Sequence, residues 1–243
     1  MELAGRRALV TGGGRRLGRA IAEALGGRGM HVAVHYGSSD AGARETAAAI
    51  EAAGGKATLH QADLRDPAAP ARLIEDVVAA LDGLDVLVNS AAVMVRTPLG
   101  EVTTAAWDAM FAVNLRAPFF LAQAAAPHLQ RTKGAIVNIA DLAAFEHWPA
   151  YVPHAITKRG VVQMTESLAR ALGPGVRVNA VAPGAVLLPD DWDEKSAAHL
   201  TATTPLGRLG SPADVTAAVL YLLTADYVTG ETLVVDGGRR IRT

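Results

Sequence analysis

A short apolar run followed by a glycine-rich stretch near the N-terminus constrains the fold of this chain most. Residues 8–11 read Ala-Leu-Val-Thr, residues 12–14 are three consecutive glycines, and an alanine-rich periodic segment covers residues 19–27. This order predicts a strand, a tight turn and the start of a helix. Glycines in such a turn let the backbone approach a pyrophosphate, and the N–H groups at the helix start hold negative charge. The stretch therefore indicates a nucleotide-binding turn, although any tight turn also favours glycine.

The rest of the chain continues this alternation of strand-like and helix-like segments. Helix-like stretches with apolar residues at i, i+3 and i+4, such as residues 71–81, lie between most of the apolar runs. The runs cover residues 8–11, 30–35, 56–61, 86–89, 135–139, 177–181 and 233–235. Continuously apolar strands are buried on both faces, as in a parallel sheet with helices on each side. We therefore predict one α/β domain over residues 1–243, a Rossmann-like doubly wound parallel sheet.

Composition excludes several classes of function. The net charge of −1 gives no support for binding to nucleic acid or to an anionic membrane. The chain has no cysteine, which excludes disulfides, thiolate catalysis and cysteine metal sites, and we predict no metal site. It shows no signal-peptide pattern and no apolar run of membrane-spanning length. We expect a soluble cytoplasmic protein whose partner is a small-molecule substrate.

The end of the second predicted strand bears on the choice of dinucleotide. Enzymes that select NAD usually place an acidic residue there, on the ribose 2′-hydroxyl. Here the strand ends in His35 and Tyr36, and Ser38 and Ser39 follow. These serines and Arg15 could hold a 2′-phosphate instead, which favours NADP(H). The alternative is that Ser39 caps the next helix.

Two further strand ends and one helix carry candidate residues. Asp63, followed by Leu64, comes after the third strand, where its carboxylate either accepts a hydrogen bond from adenine or forms an Asx turn. Asn89 ends the fourth strand, and small residues such as Ala91 follow and leave room for backbone contact with a cofactor. Asn114 lies inside an apolar predicted helix, where it either caps a helix distortion or serves the active site.

The fifth strand leads into the stretch that concentrates chemically active side chains. Asp141 stands at the strand end, where open α/β sheets bind ligands. On a helix predicted over residues 149–172, Tyr151, His154 and Lys158 are spaced i, i+3 and i+7 and would share one face. An ordinary surface helix can show such a stripe by chance. Its position directly after the fifth strand indicates a catalytic group.

With these residues the chain resembles the short-chain dehydrogenase/reductase family over essentially its whole length. The likeness is carried by the glycine turn, Asn89, Asn114, Lys158, Pro183-Gly184 and residues 235–238. Within the family the chain is most similar to pteridine reductases and bacterial dihydromonapterin reductases. Four features carry this narrower likeness: Arg16 at the middle glycine position, His35-Tyr36 with following serines, Asp141 in place of the family serine, and the loop 183–191.

The resemblance implies a role for each matching position. Lys158 would bind the nicotinamide ribose and lower the pKa of the proton donor, and Asn114 would hold a water in the proton relay. Arg16 would reach both the cofactor phosphate and the substrate, and Asp141 would lie beside the donor. The expected cofactor-binding set is Gly12, Arg15, Arg16, Leu17, Gly18, His35, Tyr36, Ser38, Ser39, Asp63, Leu64, Asn89, Ala91, Lys158, Pro183 and Gly184. The expected substrate set is Arg16, Met94, Asp141, Tyr151, Leu188 and Trp192, with a lid over about residues 185–204.

Two positions depart from the family pattern. His154 occupies the place of the family tyrosine, four residues before Lys158, whereas Tyr151 would line the substrate pocket. Met94 stands where pterin-binding relatives place an aromatic ring. Histidine is a workable substitute, because imidazole titrates near ~6.5, and Asp141 favours its protonated form while Lys158 disfavours it. Tyr151 remains the alternative donor.

Two functions follow from this pattern. The first is an NADPH-dependent reductase of a pterin-like C=N bond or a carbonyl, with Asn114, Asp141, His154 and Lys158 as its catalytic group. The second is a catalytically impaired NADP-binding protein that acts as a sensor or structural partner. The resemblance also implies a homotetramer, in which helices predicted over residues 111–130 and 149–172 pair across two-fold axes.

Overall fold

The apolar runs form the strands of one parallel sheet. In the computed structural model, which describes residues 1–188 and 193–241, seven strands lie in the order β3-β2-β1-β4-β5-β6-β7. They are β1 (Arg7–Val10), β2 (His31–Tyr36), β3 (Lys56–Gln61), β4 (Val86–Asn89), β5 (Ala135–Ile139), β6 (Arg177–Pro183) and β7 (Thr232–Val235). The order reverses beside β1, so β1 and β4 flank the switch point at which open α/β sheets bind ligands. The predicted α/β Rossmann-like fold is confirmed.

Helices cover both faces of this sheet. They are α1 (Arg16–Gly26), α2 (Asp40–Ala52), α3 (Ala69–Leu81), α4 (Thr104–Phe111), α5 (Ala117–Thr132), α6 (Val152–Leu172), α7 (Glu194–Ala202) and α8 (Pro212–Thr224). Side chains alternate between the two faces along β1. Val10 packs with residues of α1, α2 and α8, whereas Leu9 packs with residues of α3 and α5. This two-sided burial explains why the strands read as continuous apolar runs.

The helix predicted around Asn114 is interrupted by a wider turn. Helices α4 and α5 are joined by a π-helical segment, Ala112–Arg116, which contains Asn114. The whole stretch Thr104–Thr132 is long and apolar enough to cross a membrane by length and composition, although the sequence contains no continuous apolar run of that length. Half of its most apolar window is buried inside the protein. Such burial is typical of a core helix packed on a sheet.

The helix predicted from residue 149 begins later than expected. A short 3-10 turn, Pro149–Tyr151, precedes α6, and Tyr151 is the N-cap residue with φ −136° and ψ 28°. Pro153 has no N–H to donate to the carbonyl of Pro149, so the α-helical hydrogen bonding cannot extend back over this turn. The predicted stripe of three residues on one helix face is therefore wrong for Tyr151 and holds only for His154 and Lys158.

Candidate active site

The glycine turn packs directly against the end of β4. Gly12 has a φ of +67°, and a Cβ atom at this position would lie 2.9 Å from the Cα atom of Ala91. A Cβ atom at Gly18 would lie 2.2 Å from the carbonyl oxygen of Gly12. The Thr11 hydroxyl accepts hydrogen bonds from the backbone N–H groups of Ser90 (2.9 Å) and Ala91 (3.0 Å). These contacts build a cradle with no room for side chains, as a pyrophosphate-binding turn requires.

His35 stabilises this turn from the protein side. The Gly12 N–H donates to His35 Nδ1 at 3.1 Å, so Nε2 carries the ring proton and donates to the Ala62 carbonyl at 3.0 Å. The side chain is 2% exposed, and its burial lowers its pKa to about 4. We expected His35 among the cofactor-contacting residues. In the structure both ring nitrogens contact the backbone instead, and the neutral imidazole joins the ends of β2 and β3 to the glycine turn.

The other residues at the end of β2 lie nearer the surface. Tyr36 donates from its hydroxyl to Asp40 at 2.9 Å, a contact that raises the pKa of the phenol. Ser38 is exposed, as is Arg15 at the start of α1. Ser39 is the N-cap residue of α2, but its hydroxyl contacts the Gly14 carbonyl at 3.5 Å and does not cap the helix. Exposed hydroxyl and guanidinium groups therefore flank the turn.

The predicted residues after β3 form a local turn. Asp63 accepts from the backbone N–H of Arg65 at 2.9 Å and from its guanidinium at 2.7 Å. This is the Asx turn that the sequence left open, and the Arg65 contact keeps the pKa of Asp63 below its usual value. Leu64 is buried in the core.

The end of β4 contains a buried polar atom without a partner among the described residues. Asn89 donates from Nδ2 to Asn138 Oδ1 at 2.9 Å, and Asn138 donates in turn to Thr165 at 2.9 Å. The Oδ1 atom of Asn89 is buried and has no hydrogen-bond partner within residues 1–188 and 193–241. A buried acceptor without a partner beside a glycine cradle fits a site that a ligand donor completes.

Asn114 holds the loop that follows β4. Its Oδ1 accepts from the Val93 N–H at 2.7 Å, and its Nδ2 donates to the Val93 carbonyl at 2.8 Å. The same Nδ2 lies 3.2 Å from the Thr157 hydroxyl, which donates to the His154 carbonyl at 2.7 Å. Both alternatives left open by the sequence are compatible with this geometry, because the amide occupies a distorted helix segment and connects to the His154 region.

Asp141 and His154 face each other across the end of β5. Asp141 Oδ2 lies 3.6 Å from His154 Nε2, while Asp141 Oδ1 accepts from the Ala143 N–H at 2.7 Å. His154 Nδ1 lies 3.4 Å from the Val93 carbonyl oxygen, and the imidazole is 2% exposed. A carboxylate and an imidazole in this arrangement can hold one proton between them, which is the property of a general acid.

Lys158 is buried one helical turn beyond His154. Its Nζ donates to the Ile139 carbonyl at 2.7 Å. Burial lowers the pKa of Lys158 to about 8, and the charge of Asp141 opposes part of that shift. Lys158 thus places a buried ammonium at the end of β5, close enough to the partly exposed Asp141 for their charges to interact.

Arg16 connects the glycine turn to the predicted lid. It has a φ of +49°, and its guanidinium donates to the carbonyls of Leu187 (2.7 Å) and Leu188 (3.2 Å). Leu17 beside it is half-buried. Pro183 ends β6, and a Cβ atom at the next residue, Gly184, would lie 2.8 Å from the Cα atom of Asp236. The turn, the lid base and the end of β7 therefore meet on one side of the cleft.

The structure describes some, but not all, of the remaining predicted substrate residues. Met94 is 46% exposed on the loop after β4. Tyr151 is half-buried, and its ring meets Trp148 edge-on at a centroid distance of 6.2 Å. Trp192 lies outside the described residues. Of the predicted lid, the structure describes residues 185–188 and 193–204.

Some functional contacts escaped the sequence reasoning. Thr11 could have been recognised as a hydroxyl residue directly before the glycine turn. Val93 contributes only backbone atoms, so its side chain carries no signal. Thr157 reads as an ordinary polar residue within a helix, and only its contacts with Asn114 and with the His154 backbone reveal its place.

Comparison with known proteins agrees with this geometry. The family profile described as enoyl-(acyl carrier protein) reductase matches residues 13–240. The chain is 36% identical to 3beta-hydroxysteroid dehydrogenase 1 of Eggerthella lenta, over 98% of this chain and 94% of that protein. A crystal structure of a dehydrogenase/reductase from Sinorhizobium meliloti 1021 superposes with a TM-score of 0.92 at 38% identity, covering 98% and 97% of the two chains. The angucycline C-6 ketoreductase LanV with bound NADP superposes with a TM-score of 0.93 at 34% identity, covering 99% and 97%. The chain therefore belongs to the short-chain dehydrogenase/reductase family of NAD(P)-dependent oxidoreductases.

Proposed function

We propose that this protein is an NADPH-dependent reductase that delivers a proton to its substrate from the Asp141/His154 pair. The observation that carries the proposal is the buried ring nitrogen of His154, which faces the Asp141 carboxylate at 3.6 Å beside the buried Lys158. The resemblance to the family implies a tyrosine at position 154. A histidine paired with a carboxylate preserves a titratable hydrogen there, so the substitution keeps an acid.

The glycine cradle supports binding of the dinucleotide. Its glycines let the turn pack closely on the end of β4 and on the first turn of α1, so that the N–H groups at the start of α1 could bind a pyrophosphate, and Asn89 Oδ1 is a buried acceptor without a partner among the described residues. Arg15 and Ser38 are exposed next to the end of β2, where no acidic residue stands, which favours the 2′-phosphate of NADPH. The related ketoreductase LanV was solved with NADP. When bound, NADPH supplies the hydride.

The chain's own residues then have distinct tasks. Lys158 interacts with the charge of Asp141, and it would hold the ribose and stabilise negative charge that develops near the pair. His154 would release the proton from Nε2, the nitrogen directed toward Asp141. Asp141 would stabilise the imidazolium before transfer.

A carbonyl is the leading substrate group. Relatives with one-third identity over nearly the whole chain include a hydroxysteroid dehydrogenase and a ketoreductase. A C=N bond of a pterin-like ring is the second candidate. Arg16 and Asp141 favour it because they occupy positions typical of pteridine reductases, while Met94 lacks the aromatic ring that stacks on a pterin.

We also propose that the protein acts in the cytoplasm as a homotetramer. Phe119 and Phe120 on α5 and Ile156 on α6 leave large apolar surfaces exposed. Exposed apolar faces of this kind on neighbouring helices mark association sites.

Oxidation of NADPH and NADH, followed with ketones, quinones and dihydropterins at matched salt, tests the function. We expect turnover with NADPH on at least one carbonyl compound, and little with NADH. Tight NADPH binding without turnover of any compound would instead support the sensor or structural partner. Turnover of dihydropterins alone would favour the C=N substrate.

A further inference from the structure

We propose that Asn114 is a positioning residue that selects the tautomer of His154 through the Val93 backbone. In this arrangement the imidazole keeps a proton on Nδ1 and presents Nε2 to Asp141 as the nitrogen that gains and loses a proton. The catalytic meaning of this arrangement rests on the proposed function. The tautomer itself is a property of the free protein.

The side chain of Asn114 has a fixed orientation. A backbone N–H can only donate and a carbonyl can only accept, so Oδ1 must face the Val93 N–H and Nδ2 the Val93 carbonyl. The side chain is 1% exposed, and the π-helical segment around it widens the helix at this residue. Both polar groups of Val93 are thereby held by one buried amide.

The ring of His154 contacts the Val93 carbonyl. Nδ1 lies 3.4 Å from the Val93 carbonyl oxygen, which has no hydrogen to give. The contact is attractive only when Nδ1 carries the proton, so the neutral imidazole has its lone pair on Nε2. Within the described residues Nε2 has no hydrogen-bond partner, and Asp141 Oδ2 lies 3.6 Å away. A proton added at Nε2 would turn two facing acceptors into an ion pair.

One charged and one uncharged group contact the ring of His154 in the part of the chain that the structure describes. The Asp141 carboxylate, from the segment after β5, lies 3.6 Å from Nε2. On the other side, Nδ1 contacts the uncharged carbonyl of Val93, which the Asn114 amide holds. The Val93 and Asn114 groups form an uncharged clamp, and this clamp governs which nitrogen loses the proton.

Thr157 gives the clamp a second anchor on α6. Its hydroxyl accepts from Asn114 Nδ2 at 3.2 Å and donates to the backbone carbonyl of His154 at 2.7 Å. The amide thus touches both the loop that carries the Val93 carbonyl and the helix that carries the imidazole. This contact fixes the distance between the ring and its acceptor.

Nitrogen-15 NMR of histidine-labelled full-length protein tests the tautomer directly, with His154→Gln identifying the resonances of His154. We expect neutral His154 to carry its proton on Nδ1 in the wild type, and to become a mixture of tautomers in Asn114→Ala and Asn114→Asp. The Asp variant keeps an acceptor for the Val93 N–H and loses the donor to the Val93 carbonyl. A proton on Nε2 in the wild type, or an unchanged tautomer in a folded Asn114 variant, would overturn the proposal.

Asn179→Ala is the matched control. Asn179 is equally buried and also bridges two backbone groups, donating to the Val228 carbonyl at 2.9 Å and accepting from the Glu231 N–H at 3.0 Å. We expect Asn114→Ala to lower kcat by about tenfold or more and to change the pH profile, since a ring that is no longer held at Nδ1 can lose its proton from either nitrogen and not from Nε2 alone. The KM for NADPH should change less than about twofold, and Asn179→Ala should lose stability with an unchanged pH profile. An Asn114 variant that behaves like Asn179→Ala would contradict a positioning role. Full activity of His154→Ala would refute the assignment of His154 as proton donor. It would leave the tautomer proposal standing, because the NMR result does not depend on turnover.

Discussion

Asp141 Oδ2 and His154 Nε2 lie 3.6 Å apart, slightly beyond hydrogen-bond distance, at the carboxyl end of β5. The imidazole is buried, whereas the carboxylate is about one-quarter exposed. The pair can therefore take up a proton from solvent through the carboxylate side and hold it at a buried nitrogen. This separation of an exposed and a buried partner suits an acid that must be reloaded in every turnover.

Replacement of His154 tests the acid. His154→Ala should lower kcat by about 10²–10⁴, the range for one acid–base group, with little change in NADPH affinity. In the wild type, turnover should fall with rising pH as the pair loses its proton, and the apparent values belong to the pair. His154→Tyr should keep activity and move this fall to higher pH, because a phenol titrates near ~10 and an imidazole near ~6.5. Steady-state kinetics between pH 5 and 10 measure both effects.

Tyr151→Phe is the control for the alternative donor. Tyr151 precedes α6 in a 3-10 turn, so we expect its variant to change substrate KM more than kcat. An inactive Tyr151→Phe together with a fully active His154→Ala would place the proton on Tyr151. Full activity of both variants would show that solvent supplies the proton.

Arg15 is expected to contribute to dinucleotide selection. Arg15→Ala removes a charge-assisted contact worth roughly 1.5–3 kcal/mol, so the Kd for NADPH should rise about 10- to 150-fold. The Kd for NADH should barely change, since NADH has no 2′-phosphate. Arg28→Ala, which removes an equally exposed arginine at the other end of α1, should leave both constants unchanged. Equal constants for the two dinucleotides in the wild type would contradict the NADPH preference.

His35 should make the fold sensitive to acid. Its pKa is lowered to about 4 in the folded state by burial, against about 6.5 in the unfolded chain. Below pH 6.5 the unfolded chain therefore binds the proton more readily, and stability is lost as the pH falls toward 4. The loss from this group should reach about 3 kcal/mol, and it should be absent above pH 6.5.

Urea unfolding of the wild type and His35→Gln at pH 7.5 and pH 4.5 measures this loss. The variant is expected to be less stable at pH 7.5, because the bridge between Gly12 and Ala62 is altered. Its stability should decline less between the two pH values. An identical decline in both proteins would show that His35 does not titrate on unfolding.

The sequence predicted the strands best, because their buried residues form continuous apolar runs. Six of the seven strands both begin and end within one residue of their predicted bounds, because strands of a parallel sheet covered by helices are continuously apolar. The late start of α6 could have been predicted from Pro153. The helical spacing of Tyr151, His154 and Lys158 favoured an earlier start instead. His35 reads like a ligand-binding residue at a strand end, and only three-dimensional packing shows that the backbone uses both nitrogens. Val93 could not be found at all, since backbone groups leave no mark on residue identity.

Association is testable through the exposed faces of α5 and α6. Light scattering at micromolar concentration should show a tetramer, and Phe119→Glu should yield smaller species, because a charge replaces an exposed apolar ring. Glu in place of Tyr227, a fully exposed residue in the loop before β7, is the control for added charge. A wild-type monomer would contradict the assembly.

The bridge made by His35 assigns two properties of a dinucleotide enzyme to different residues. These properties are the shape of the glycine turn and the preference for one dinucleotide. The shape of the glycine turn depends on a buried ring whose nitrogens contact only backbone atoms, whereas Gly37 and Ser38, which follow β2 directly, are exposed. Natural or engineered substitutions that change the dinucleotide preference can therefore be made at the exposed positions without disturbing the glycine turn. Changes of cofactor preference in this chain therefore require substitutions only at exposed positions, while the buried His35 is retained.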